Sequence, residues 1–212
     1  MKEVLNKLFK YESLSREEAS DILSNLATGQ YNQSQMAAFL TVYLMRSITV
    51  EELEGFRDAM LELCVKVPVE DYDAIDLCGT GGDSKNTFNI STLSSFVVAG
   101  AGQAVVKHGN YGVSSVSGSS NVLEHFGARF TNDIDTLKQS LDKAGICFMH
   151  APLFHPAMKN VAPARKIIGK RTAFNLLGPL CNPAKVRHQM IGVFADNYIE
   201  RIAKIMQKNF SD

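Results

Sequence analysis

Asp76-Leu77-Cys78-Gly79-Thr80-Gly81-Gly82-Asp83-Ser84-Lys85-Asn86-Thr87-Phe88-Asn89-Ile90-Ser91-Thr92 leads from a short apolar run, AIDLC, into a segment of small and apolar residues, STLSSFVVAGAG. The first reads as a strand and the second as a helix. Glycines let a backbone approach a ligand closely and turn its N–H groups toward an anion. A helix starting near Ser91 adds its positive end, and Asn89, Ser91 and Thr92 add side-chain hydrogen bonds. Neither GxGxxG nor GxxxxGK[ST] is present, so the dinucleotide and P-loop signatures are absent. GTGGD alone is equally a tight strand-to-helix turn with Ser91 as its N-cap; the Asn-Ile-Ser-Thr that follows favours a ligand.

Upstream of this loop the chain reads as helices. Ser15 and Glu18 have capping-box spacing, with Ala19, Ile22, Leu23 and Leu26 following at helical intervals and Gly29 as a stop. SQMAAFLTVYLMRSI is apolar on most faces, a buried helix. Thr49 and Glu52 form a second capping box ahead of Leu53, Phe56, Met60 and Leu63, and Pro68 ends the section. Downstream, strand-like QAVVKHG, ICFMH and QMIGVFA alternate with helical SSNVLEHFG (opened by Ser119 or Ser120), DIDTLKQSLDKAG, PAMKNVAPARKIIG and NYIERIAKIMQKNF. This alternation predicts an α/β domain with a largely parallel sheet. The expected division is a helical domain over 1–68 and an α/β domain over 69–212.

The 212 residues are 45% hydrophobic and 21% charged, ordinary for a globular chain. Lys+Arg and Asp+Glu are both 22, which gives a nucleic-acid or membrane-surface partner no support. Cys64, Cys78, Cys147 and Cys181 form no CxxC pair, which argues against zinc and for a reducing compartment. With no apolar leader at the N-terminus and no bilayer-length apolar run, the expectation is a soluble cytoplasmic protein.

Two further stretches carry chemistry. Lys107-His108-Gly109-Asn110-Tyr111-Gly112-Val113-Ser114-Ser115-Val116-Ser117-Gly118-Ser119 also follows a strand and leads straight into an apolar helix. Two polar, Gly-rich loops at the C-terminal ends of strands suit a ligand crevice in an open α/β sheet, here for a ligand with two phosphate groups and Lys107 balancing charge. The third is APLFHPAMKNVAPARKIIGKRTAFNLLGPLCNP, rich in Pro, Arg and Asn beyond what packing needs. Its Arg165 has the fork to bind a carboxylate.

Together, GTGGDSKNTFNIST, KHGNYGVSSVSGSSNVLE and this third stretch resemble the anthranilate phosphoribosyltransferases, over the whole chain. Pyrimidine nucleoside phosphorylases share the fold and a Lys-plus-Ser loop but not the third stretch, and are the same-fold alternative. The resemblance implies a small helical domain beside a larger α/β domain, a crevice between them, and a homodimer through the helical domains. It implies phosphoribosyl pyrophosphate (PRPP) and Mg²⁺, with anthranilate as acceptor. The positions implied for PRPP are Gly79, Gly82, Asp83, Thr87, Asn89, Ile90, Ser91, Thr92, Lys107, His108, Gly109, Asn110, Tyr111, Gly112, Val113, Ser114, Ser115 and Ser119. Ser91 matches a Mg²⁺ ligand. Gly79, Asn110 and Arg165 match anthranilate positions, with His108, Pro152 and His155 lining the same channel. Asn110 and Arg165 would orient the amine, and His108 is the candidate proton acceptor.

The sequence departs from that pattern twice. Tyr111 stands where the family usually has Arg, which removes a cation from a phosphate loop. Family members are also longer than this chain by more than half and carry a later Asp-Glu pair for Mg²⁺. After Arg165 the acidic residues here are Asp196, Glu200 and Asp212, none adjacent. The expectation is a truncated α/β domain with an exposed sheet edge, either part of an enzyme or a non-catalytic fragment that keeps the fold.

Overall fold

The structure is a computed structural model and describes residues 1–81, 87–112, 117–169 and 172–209. The expectations for Gly82, Asp83, Val113, Ser114 and Ser115 lie outside these residues. The chain forms two compact units: Met1–Cys64 with His155–Leu177 and Asp196–Asp212, and Val65–Phe154 with Gly178–Ala195.

The first unit is helical. Helices α1 (Lys2–Phe9), α2 (Arg16–Ala27), α3 (Gln33–Met45) and α4 (Val50–Glu62) are joined by α9 (Ala162–Ile168), α10 (Phe174–Leu177) and α11 (Ile199–Asn209). Ser15 and Glu18 form the expected reciprocal cap on α2, and Thr49 and Glu52 that on α4. A third cap, Asn32 with Gln35, starts α3 earlier than its apolar run suggests. The core is aromatic: the Phe39, Tyr43 and Phe56 rings meet edge to face, and Phe56 stacks on Phe174 at 6.0 Å. Fully buried Glu52 completes its cap and also pairs with Arg46 and accepts from the Leu14 N–H and Tyr43 hydroxyl. A buried carboxylate needs that many partners.

α2 and α4 cross closely because α4 carries Gly55 at the contact. A Cβ there would lie 2.7 Å from Ala19 Cβ and nearer still to the Arg16 carbonyl oxygen. Gly55→Ala should therefore cost about 3 kcal/mol through overpacking, read as a lower urea midpoint. An unchanged midpoint would show that the crossing can relax.

The second unit is an α/β domain with a parallel four-stranded sheet. Strands β1 (Ile75–Leu77), β2 (Val105–Gly109), β3 (Ile146–His150) and β4 (His188–Met190) lie in the order β3-β2-β1-β4, every pair parallel. Its other helices are α5 (Ile90–Gly100), α6 (Ser119–His125), α7 (Ile134–Ala144) and short α8 (Ala151–Phe154). Val106, Cys147 and Met149 pack with Leu137, Leu141 and Phe154 in its core.

Three local expectations are corrected. PAMKNVAPARKIIG is two pieces, a 3₁₀ turn Pro156–Asn160 and then α9, because Pro163 fits only a first helical turn. Of QMIGVFA, only Gln189 and Met190 pair in the sheet; residues beyond them brace Thr80 instead. The segment SSNVLEHFG is capped by Gly118 rather than a serine, and the Gly118 N–H donates to Asn121 Oδ1 at 2.9 Å.

Candidate active site

β1 and β2 are adjacent and parallel, so the loops that follow Leu77 and Gly109 leave the same end of the sheet. That end is where ligands sit in open α/β sheets. Lys107 is 2% exposed, yet its Nζ has specific partners: it donates to the Leu77 carbonyl at 2.6 Å and to Ser91 Oγ at 3.4 Å. One buried cation thus links the end of β1, the strand β2 and the first turn of α5.

α5 is capped by Asn89, not Ser91. Asn89 Oδ1 accepts from the Thr92 N–H at 3.3 Å and the Thr92 hydroxyl at 2.8 Å, with Ser91 Oγ 3.5 Å away. Asn outranks a mid-turn Ser here because its carbonyl reaches the third helical amide. Ile90 is half-exposed at the helix start, and Thr87 precedes the cap in irregular chain. In the glycine loop, Gly79 lies so close to Gly192 that a Cβ would sit 3.2 Å from its carbonyl oxygen. Gly81 takes φ +63°.

The second loop is stapled from below by the first turn of α6. Ser119 Oγ accepts from the Asn110 N–H at 3.2 Å, and Asn121 Oδ1 accepts from the Gly112 N–H at 3.0 Å. Tyr111 donates its hydroxyl to Glu124 Oε1 at 3.2 Å. His108 is 3% exposed and its Nδ1 lies 3.0 Å from the Gly178 carbonyl oxygen. A carbonyl only accepts, so Nδ1 carries the proton and Nε2 is the unprotonated nitrogen of the neutral ring.

Pro152 is exposed on α8 in this same unit. His155 and Arg165 belong to the helical unit. His155 is 5% exposed, and its carbonyl accepts from the Met158 N–H. The Arg165 guanidinium stands 5.8 Å from the Phe174 ring centroid, and burial pulls its pKa below the ordinary guanidinium value.

Two residues of the second unit escape sequence reading. Thr80 is buried; its N–H donates to the Gly192 carbonyl at 2.8 Å and its hydroxyl accepts from the Phe194 N–H at 3.1 Å. Asp76, 1% exposed, accepts from the His108 N–H at 3.0 Å. A charged residue inside the apolar run AIDLC was the available signal for it. Burial pushes the Asp76 carboxyl up from 3.8 to about 6, against the opposing pull of Lys107. A raised carboxyl pKa gives stability that is complete below the ordinary value and is lost as pH rises through the folded one. Stability should therefore fall between 3.8 and about 6 from this group. Asp76→Asn, which keeps an oxygen for the His108 N–H, should flatten that part of a urea-stability profile; an unaltered slope would discount the buried carboxyl.

Mg²⁺ takes six close oxygen ligands and prefers carboxylate or phosphate. Among the described residues, the oxygens near Ser91 Oγ and the Lys107 ammonium are neutral ones, including Asn89 Oδ1, the Thr92 hydroxyl and the Leu77 carbonyl. Among the described residues, no group of three or more His, Cys, Asp or Glu could hold a metal. Ser91 Oγ, a neutral oxygen donor, is of the chemical type that could fill one position around such a cation.

Comparison with known proteins agrees with this architecture. Residues 2–64 match the helical bundle domain, and residues 71–210 the a/b domain, of a glycosyl transferase family. The chain belongs to that glycosyl transferase family. Its relatives include the anthranilate phosphoribosyltransferase of Christiangramia forsetii, 58% identical over 100% of this chain and 65% of the relative. That of Flavobacterium johnsoniae is 61% identical over 92% of this chain and 59% of the relative. Among solved structures, anthranilate phosphoribosyltransferase from Thermus thermophilus superposes with a TM-score of 0.88 at 35% identity, covering 97% of this chain and 62% of that one. The Saccharomyces cerevisiae enzyme in complex with PRPP and Mg gives 0.85 at 28% identity, over 98% and 62%. The chain thus spans about three-fifths of the length of these relatives.

Proposed function

We propose that this chain carries the PRPP-binding portion of an anthranilate phosphoribosyltransferase, which transfers the 5-phosphoribosyl group of PRPP to the amine of anthranilate and releases pyrophosphate. The observation that carries the reading is the buried Lys107, bonded to both Leu77 and Ser91 where two Gly-rich loops leave neighbouring strands. In this reading residues 1–68 and 69–212 are the two domains along the sequence, with 155–177 and 196–212 of the second folding into the helical unit.

The bond from the ribose anomeric carbon to the pyrophosphate oxygen breaks, a carbon–nitrogen bond forms, and the amine loses a proton. Positive charge develops on the ribose and negative charge on the leaving group. Lys107 and the glycine-loop amides stabilise the latter. Mg²⁺, when bound with pyrophosphate and Ser91, supplies further charge neutralisation. Asn110 and Arg165 orient anthranilate, Arg165 through the carboxylate. Gly79, Pro152 and His155 shape its path, and Nε2 of His108 receives or relays the amine proton. Tyr111 brings Glu124 rather than a cation to the second loop, so PRPP affinity should be below that of an arginine-bearing loop.

The reading extends to a cytoplasmic homodimer formed through the helical unit. Supporting it, α1 and α3 leave Phe9, Leu44 and Met45 exposed, with Tyr11 just beyond α1. A balanced charge favours small-molecule over nucleic-acid partners. No described helix is long and apolar enough to cross a membrane.

The test is the loss of anthranilate fluorescence on mixing the chain with PRPP and Mg²⁺, alongside PRPP titration calorimetry. Turnover supports the full reading. PRPP binding without turnover limits the chain to the binding portion, and no binding overturns the site. Phosphate-dependent cleavage of thymidine would instead reveal a pyrimidine nucleoside phosphorylase. Where turnover occurs, Arg165→Ala should raise the anthranilate KM and spare that for PRPP.

A further inference from the structure

β3 ends on His150, a residue that strand periodicity marks only as the last of an apolar run. Its side chain is buried, and Nδ1 lies 2.8 Å from Ser120 Oγ. Phe130 stacks on the imidazole at 4.5 Å, and Tyr111 meets it edge-on at 4.9 Å. Burial lowers the His150 pKa, against an opposing pull from Glu124. The ring therefore enters this cluster neutral at neutral pH, with one nitrogen able to accept.

Ser120 is fully buried and, among the described residues, is bonded to Asn110 and His150. Its N–H donates to the Asn110 carbonyl at 3.1 Å, and its hydroxyl is bonded to His150. With the hydroxyl donating, Nδ1 is the accepting nitrogen. Asn110 in turn receives Ser119 Oγ at its own carbonyl and holds the Tyr111 N–H with its side chain. His150 thus reaches the loop twice: through Ser120 to Asn110, and through its ring to Tyr111. Packing alone would be met by any flat apolar side chain. The hydrogen bond to a serine that itself holds the loop backbone needs a polar partner.

We propose that His150 is the positioning residue of the Asn110–Gly112 loop, fixing it through the Ser120 hydroxyl and the face of Tyr111. Its value to catalysis rests on the proposed reading of that loop as part of the PRPP site. Tyr111 then has a second consequence besides the loss of a cation: it gives the loop an aromatic surface that His150 can seat.

Two variants separate the hydrogen bond from the packing. His150→Phe keeps a ring between Phe130 and Tyr111 but cannot accept; His150→Gln keeps an acceptor and loses the ring. Hydrogen exchange at the Tyr111, Gly112 and Ser120 amides reads the loop without any ligand, and calorimetry with PRPP and Mg²⁺ reads the site. In His150→Phe the exchange should quicken and the PRPP Kd weaken by about tenfold each, the scale of one hydrogen bond. His150→Gln should restore most of both. Ser120→Ala should match His150→Phe, and the double variant should be no worse than either single one. Ser120→Ala also carries the test if His150→Phe fails to fold. Unchanged exchange in His150→Phe and Ser120→Ala overturns the proposal, as does a Gln variant as impaired as Phe. If exchange follows the expected pattern while the unaltered chain does not bind PRPP, His150 holds the loop and it is the PRPP reading that fails.

Discussion

Lys107→Met should weaken PRPP binding by 10- to 100-fold, the scale of a charge-assisted hydrogen bond, and should also destabilise the fold in a pH-dependent way. The second effect follows from Asp76. That carboxyl is buried, with its pKa at about 6, and Lys107 is the charge that favours its ionised form. At pH 7.5 the variant leaves a buried carboxyl that must ionise without its nearby cation or take up a proton, at a cost of up to about 2 kcal/mol. Below pH 5 the carboxyl is protonated, and most of that cost should vanish. Urea unfolding at the two pH values, with PRPP calorimetry at the higher one, measures both effects. Equal destabilisation at both would mean that Asp76 and Lys107 are uncoupled.

Gly118→Ala should be the most damaging glycine change in the second unit. Gly118 has an ordinary backbone conformation, φ −98°, so the effect is steric and not conformational. A Cβ would lie 2.5 Å from the Asn110 carbonyl oxygen and from the Tyr111 carbonyl carbon, with the Gly112 nitrogen closer still. All three are backbone atoms of the second loop, which must move to admit a methyl group. About 3 kcal/mol of stability should be lost to overpacking, and PRPP binding should go with it. Gly81→Ala is the matched control: at φ +63° its Cβ would meet nothing within 4 Å among the described residues. Its cost should be only the ~1–2 kcal/mol of a left-handed backbone. If the two variants were equally stable, crowding at Gly118 would be relieved without moving the loop.

The helical domain and the parallel α/β domain were legible because their signals are local. Ser15 with Glu18 and Thr49 with Glu52 are complete within four residues, and the strands announce themselves as short apolar runs. The two candidate loops after β1 and β2 stand out in the sequence because glycines, a lysine and serines cluster there. What the sequence hid are the partners that reach across it. Thr80 reads as a spacer between glycines until its bonds to Gly192 and Phe194 are seen. Ser120 and His150, thirty positions apart, meet only once β3 lies beside β2. The N-cap of α5 was misread for a different reason: Asn89, Ser91 and Thr92 are all competent cappers, and only the geometry selects Asn89.

The brace between Thr80 and the segment after β4 joins residues 112 positions apart. Its partner strands are equally distant, since β1 pairs with β4 through Ile75 and His188. Contacts that span so much chain close slowly and late. During synthesis the first glycine loop must therefore leave the ribosome long before Gly192 and Phe194 exist to hold it. Its working shape is a product of the end of folding, although its sequence is the plainest signature in the chain. Amide protection at Thr80 should accordingly appear only with the slowest refolding phase.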